Sequence, residues 1–339
     1  MNTSEHGRSV SSVTMRDVAK AAGVSVATVS HVVNNKPGAR IGDDARRRVQ
    51  ETVAQLGYRP NALAKTLSEG TSRFIGLVAD AIATTPFAGQ IIHGAQDEAW
   101  KHGYVLLVAN TDGNRAVEDD AIAMMLEHQV QGILYSTWYH REIVVPDALR
   151  QTDTVLVDCF ATGSGLPAVV PDEEQGGRTA TEELLRAGHR RIAFINTTTP
   201  SPARSGRLAG YRSALETAGI AFDESLVFPA APEQEGGYDT TPRIVASQAT
   251  AVFCHNDRVA MGLYDGLREH GLRIPDDIAV IGFDNQDVIA AHLRPPLSTV
   301  ALPHYELGAA GVRLLLGLEA SSYTDPHLVA CPPIQRLSV

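Results

Sequence analysis

Hydrophobic and polar positions follow two different rhythms along the chain. In residues 14–34, TMRDVAKAAGVSVATVSHVVN, the groups Val18, Ala19 and Ala22 fall on one helical face. Thr14 with Asp17 three residues on is a capping-box start, and Gly23 can take the left-handed turn that ends this helix. Ser25 then caps a second helix whose apolar face is Val29, Val32 and Val33. Two short helices joined around a glycine make a helix-turn-helix pattern. A third helix is predicted over 43–56, DDARRRVQETVAQL, on Ala45, Val49, Val53 and Leu56, with Gly57 as its stop.

From Phe74 onward, short continuous apolar runs alternate with amphipathic stretches. The runs at 74–80, 104–110, 132–135 and 154–158, then 191–196, 251–255 and 277–284, are predicted strands. Helices are predicted between them over 87–101, 116–128, 174–187, 207–218, 237–247 and 258–270. Apolar strands separated by helices imply parallel sheets covered on both faces. The strands fall into two groups, so the fold class is α/β: an all-α head followed by a core of two doubly wound subdomains. In such sheets ligands bind beyond the carboxyl ends of the strands. No exact internal repeat occurs.

Charge sharpens this division. The sequence of 339 residues has a net charge of −10, yet residues 1–70 hold ten Lys/Arg against six Asp/Glu. A basic head on an acidic body confines attraction for a polyanion to one end. The polar opening dodecapeptide reads as a disordered leader over 1–13, without the apolar stretch of a signal peptide. No apolar run approaches the length of a membrane helix, so no membrane partner is expected. Three scattered cysteines, Cys159, Cys254 and Cys331, suit a reducing cytoplasm better than a disulfide framework.

A second helix entering the major groove by its N-terminal end would turn Ser25, Val26, Ala27, Thr28, Ser30 and His31 toward DNA. His31 can donate to or accept from base edges, whereas Val26 and Ala27 can only touch apolar groups such as a thymine methyl. Arg40, Arg46, Arg47 and Arg48 are candidates for phosphate contacts, which position without reading sequence. The pattern alone leaves open a plain three-helix bundle with a solvated basic face.

The run TMRDVAKAAGVSVATVSHVVNN, followed by GYRPNALAKTL at 57–67, resembles the head and hinge of LacI/GalR-family repressors. That resemblance implies base reading by Val26, Ala27 and His31, and backbone contacts by Asn34 and Tyr58. Thr14, Asn61 and Lys65 complete the implied DNA-facing set. Hinge residues from Asn61 would form a short helix only when two chains meet over the operator. Leu67 would wedge into the minor groove, with Ala64 lining it, and an apolar wedge of this kind kinks a flexible base step. The implied domains are 14–58 for the head and 59–70 for the hinge. The core would have an N-subdomain of 71–170 with 300–325 and a C-subdomain of 171–299 with 326–339.

The body resembles the same family, and through it the periplasmic sugar-binding fold, in phrases such as EEQGGR (173–178), RLAGYRSAL (207–215), HNDRVAMG (255–262) and VIGFDN (280–285). By that resemblance Asp80, Phe87, Asp158, Asp172, Arg207, Asn256 and Asp284 line the effector cleft between subdomains. Asp, Asn and Arg beside an aromatic platform suit polyols, because carboxylates accept from hydroxyls while Arg and Asn donate. Each also has a plainer reading: Arg207 as part of its helix's capping, Phe87 as core, and the neighbouring Asp257 as the cap of the helix from 258.

The chain departs from the family pattern at Thr85 and Ala88, at the proline-rich TTTPSPARSG before Arg207, and at the aromatics Trp138 and Tyr139. No HExxH, GxSxG or P-loop occurs, so neither an enzyme nor a cofactor is expected. The expected protein is a cytoplasmic, sequence-specific transcription regulator, a repressor. It would bind a pseudo-palindromic double-stranded DNA operator as a homodimer, under control of a sugar or sugar derivative. An activator, or a sensor with a nucleobase corepressor, fits the same sequence.

Overall fold

The computed structural model describes residues 13–34, 40–58, 72–82, 85, 88–320, 322 and 325–339. The chain divides into two compact units, 1–72 and 73–339.

In the first unit, α1 (Met15–Ala22), α2 (Val26–Val33) and α3 (Asp43–Leu56) surround one small core. Its caps are those the sequence predicts. Asp17 N donates to Thr14 Oγ1 at 3.3 Å, and Thr14 N donates to Asp17 Oδ2 at 2.8 Å, a complete capping box. Gly23 takes φ 65°, and Thr28 N donates to Ser25 Oγ at 3.1 Å to start α2. Val18, Val29 and Val49 are fully buried. Leu56, expected on the buried face of α3, is instead exposed, and Thr52 takes the inward position one turn earlier, its hydroxyl donating to Arg48 O.

The second unit contains two six-stranded sheets. The first runs β2 (Val105–Asn110), β1 (Phe74–Ala79), β3 (Ile133–Glu142), β4 (Thr154–Phe160), β5 (Ala168–Pro171) and β11 (His327–Val329), all parallel. The second runs β7 (Val227–Ala230), β6 (Ile192–Thr197), β8 (Ala251–Cys254), β9 (Ala279–Asp284), β10 (Ser298–Ala301) and β12 (Pro333–Ile334). Only β12 is antiparallel to its neighbour. Both sheets repeat the order second–first–third–fourth–fifth, a duplication with no counterpart as a sequence repeat.

Helices α4 (Gly89–Lys101), α5 (Arg115–Glu127) and α10 (His304–Leu315) belong to the first sheet. Helices α6 (Glu173–Arg186), α7 (Pro202–Thr217), α8 (Gln234–Ala246) and α9 (Asp257–Glu269) belong to the second. Apolar clusters on both faces of each sheet explain why these strands read as continuous hydrophobic runs. The chain passes between the sheets after β5, after β10 and after β11. The last passage corrects the expected boundary at 326, because His327–Val329 pair with Val169–Pro171 of the first sheet. No helix among the described residues is long and apolar enough to cross a membrane.

Candidate functional site

The carboxyl ends of strands from both sheets face a cavity of about 290 Å³. The first sheet contributes Trp138, Tyr139 and His140 from β3 and Asp158 from β4; the second contributes Arg207, Asn256 and Asp284. The geometry begins with Arg207, which lies in the second turn of α7 rather than near its start. Ser201 and Pro202 begin that helix five residues earlier than the pattern predicts, and Arg204 N donates to Ser201 Oγ at 3.2 Å. The capping role considered for Arg207 therefore does not apply.

Arg207 is only 3% exposed. Its Nε donates to Glu173 Oε2 at 2.8 Å, and its Nη1 donates to the His255 main-chain oxygen and lies 3.8 Å from Asp284 Oδ1. Its guanidinium stacks over Phe283, 3.6 Å from the ring centroid. Glu173 brings its other oxygen to within 3.5 Å of His140 Nδ1, so the cluster reaches from a helix of the second sheet to a strand of the first. Burial opposes the Glu173 charge, but Arg207 and His140 outweigh it and hold its pKa down to about 2.

Asp158 ends its strand in a left-handed backbone, φ 57°, and Asp284 does so at φ 100°. Such conformations cost non-glycine residues about 1–3 kcal/mol and concentrate at functional sites. Burial pushes the Asp158 carboxyl well above the usual carboxylate range. It raises Asp284 to about 6 against the opposing pull of Arg207. Asn256 is the N-cap of α9, accepting from Val259 N at 2.8 Å and donating to Pro232 O at 2.9 Å. Asp257, read from sequence as that cap, is instead the first helical residue. It is buried, with Thr299 Oγ1 and Gln286 N both donating to its carboxylate at 2.7 Å.

Two expected site residues stand outside the cavity lining. Asp172 caps α6 by accepting from Gln175 N at 2.9 Å, and its neighbour Glu173 faces the cavity instead. Asp80 accepts from Trp138 N at 3.0 Å and from Arg141 Nη2 at 2.9 Å, which occupies its carboxylate. Phe87 lies outside the described residues.

Sequence reasoning did not select Glu173, His140, His255, Arg258 or His304, all of which line the cavity. For Glu173 and His255 a signal existed, since each adjoins a residue selected at a strand end. His255 Nδ1 is buried without a hydrogen-bond partner among the described residues, a polar atom left available beside the cavity. Burial lowers His304 to about 4 and keeps it neutral at ordinary pH.

In the head, Val26 and Ala27 are exposed at the start of α2, with Ser30 and His31 half-buried beyond them. The Thr14, Ser25 and Thr28 hydroxyls are engaged in caps. Asn34 Nδ2 donates to Ser30 Oγ at 3.3 Å. Tyr58 belongs largely to the core at 7% exposed, and Arg40 is exposed. Arg48 Nε donates to Ala22 O at 3.3 Å, and Arg47 pairs with Asp44 at 3.0 Å. Asn61, Ala64, Lys65 and Leu67 lie outside the described residues.

Comparison with known proteins agrees with both units. A family of bacterial regulatory proteins, the lacI family, matches residues 14–61, and the periplasmic binding protein-like domain matches residues 181–339. The HTH-type transcriptional repressor PurR of Vibrio atlanticus is 34% identical over 315 residues, covering 89% of this chain and 91% of that protein. The ribose operon repressor of Haemophilus influenzae is 33% identical over 306 residues, with the same coverage of 89% and 91%. The crystal structure of the lac repressor dimer bound to operator and the anti-inducer ONPF superposes with a TM-score of 0.77 at 25% identity, covering 96% of this chain and 99% of that one. With a regulator's head and a binding-protein body in one chain, and relatives aligned along nearly its whole length, this protein belongs to the lacI family of bacterial regulatory proteins.

Proposed function

We propose that the protein is an operator-binding repressor whose hold on DNA is set by a sugar or sugar derivative in the cavity between the two sheets. The carrying observation is the Arg207–Glu173–Asp284 cluster: charged groups buried at strand ends, facing a cavity that both sheets line. Trp138 and Tyr139, with ring centroids 4.8 Å apart, give that cavity an aromatic wall suited to a sugar face. Asp80 and Asp172, whose carboxylates are already engaged within the protein, would act at its margin.

On this reading residues 14–58 read DNA through Val26, Ala27 and His31, 59–70 form the hinge, and the body beyond is the sensor. The working unit is a homodimer. Edge strand β2 and its flanking helices present Trp100, Val105, Val108 and Met124 to solvent, an apolar face that a second copy would cover. The role is regulation rather than catalysis, carried out in the cytoplasm.

A ligand shifts DNA affinity only by its differential affinity for two body conformations. The test is fluorescence anisotropy on operator DNA with a panel of pentoses, hexoses and disaccharides, for the native chain and Arg207→Ala. The expected outcome is that one sugar changes operator affinity and that Arg207→Ala abolishes the response while still binding operator. A variant that responds normally removes the cavity from the mechanism.

A further inference from the structure

Four carboxyl groups, of Asp158, Glu173, Glu233 and Asp284, and two guanidinium groups, of Arg207 and Arg258, line the cavity. Both cations are already matched inside the protein. Arg207 is joined to Glu173 at 2.8 Å with Asp284 at 3.8 Å, and Arg258 Nη1 donates to Glu233 Oε2 at 2.8 Å. Of the three lining histidines, burial lowers His255 and His304, and His140 is turned toward Glu173, its Nδ1 3.5 Å from Oε1, so it too is matched from within the protein. A phosphate ester or carboxylate entering here would lose its hydration and find no unmatched cation, while facing Asp158 and Asp284. Taking an ion out of water without a partner is strongly unfavourable.

Within this arrangement Glu173 has a particular position. It holds the most deeply buried cation from the protein side, through Nε, and it turns its second oxygen toward His140. At 5% side-chain exposure it is buried almost as fully as Arg207. It stays ionised throughout the physiological range.

We propose that Glu173 sets the charge class of the ligand: by committing Arg207 from within, it makes the cavity accept an uncharged, hydroxyl-bearing molecule and exclude phosphate esters and carboxylates. The proposal rests on the effector reading above. It adds that the hydroxyls find acceptors in Asp158 and Asp284, and that the His255 imidazole can serve as a further partner. Replacing Glu173 by its neutral isostere would leave Arg207 unmatched on one side and convert the deepest part of the cavity into an anion site.

Calorimetric titration of the full-length chain with inorganic phosphate and with ribose 5-phosphate tests this directly. The native protein is expected to take up neither anion, and Glu173→Gln to bind ribose 5-phosphate at least about tenfold more tightly than the native chain. Native binding of either anion, or a folded Glu173→Gln variant that gains no affinity, would overturn the proposal. Thermal melting reports whether the variant is folded. If it is not, the native titration decides alone, uptake of either anion overturning the assignment and rejection of both upholding it.

Operator binding measured in the same titrations separates the two readings. If Glu173→Gln gains the phosphate ester while no cavity ligand alters DNA affinity, the charge assignment stands and the effector reading fails. If sugars alter DNA affinity and Glu173→Gln gains nothing, the reverse holds.

Discussion

His304 starts α10 and is only 5% exposed, and both Glu173 and Arg207 act on its charge. Burial is the largest influence; with Glu173 opposing it and Arg207 adding to it, the folded-state pKa falls from 6.5 to about 4. The neutral ring's contribution is therefore fully present above about pH 6.5 and is lost as pH falls through the folded value near 4. Asp284 acts with the opposite sign, because its raised pKa of about 6 favours the folded protein at lower pH. His304→Gln should remove roughly 3 kcal/mol of the acid-side loss between neutrality and pH 4. Melting of native and variant chains at several pH values checks this, and parallel acid losses in the two would rule it out. At this scale legibility follows from position along the chain. Asp158, Arg207, Asn256 and Asp284 could be selected because strand ends and family phrases mark them. His140 and His304 could not, because each acquires its role from Glu173 or Arg207, more than thirty residues away in sequence and brought close only by the packed fold.

Among elements, the crossing of α6 with α7 decides whether the site exists. Gly177 and Gly210 allow two helix backbones to approach closely: a Cβ at Gly177 would strike the backbone of Arg207, and one at Gly210 would strike Glu174 O and Arg178 N. That proximity is what sets Glu173 beside Arg207. Gly210→Val should separate the helices, cost about 1–3 kcal/mol or more through overpacking, and weaken ligand binding by disturbing the ion pair. A melting temperature and ligand affinity both unchanged would show that the crossing tolerates the larger side chain. Elements with local signals were legible. The capping box, Gly23 and Ser25 define the head helices by contacts within four residues, and long apolar runs define the central strands. Short strands such as AVVP, VFPA and STVA escaped prediction because proline or hydroxyl residues break their apolar runs, unlike the equally short AVFC. Their pairing is instead fixed by neighbouring strands. Helix α10 escaped because its buried face is largely alanine and glycine, a close-packing surface rather than a stripe of large apolar groups.

For the whole molecule, the separation of charge governs how it meets DNA. The net of −10 conceals a basic first segment, and an acidic body repels the same polyanion that the head attracts. Phosphate contacts release condensed counterions, so operator affinity should fall steeply with salt, with a slope of about −0.9 per phosphate neutralised. The head's arginines are not equivalent in this respect. Arg40, Arg47 and Arg48 are all exposed, but Arg48 already donates to the end of α1 and Arg47 has Asp44 beside it, whereas Arg40 has no such partner among the described residues. Arg40→Ala should therefore reduce the magnitude of the salt slope by about one per head, or about two for a dimer, while leaving the preferred operator sequence unchanged. His31 supplies the contrasting case. Its replacement should leave the slope nearly intact and relax preference at one base position per half-site, at about 1–3 kcal/mol. Binding of both variants across a salt series and a set of single-base operator substitutions separates the roles. If Arg40→Ala leaves the slope unchanged, or His31 replacement weakens every sequence equally, the division into positioning and reading groups on this head must be redrawn.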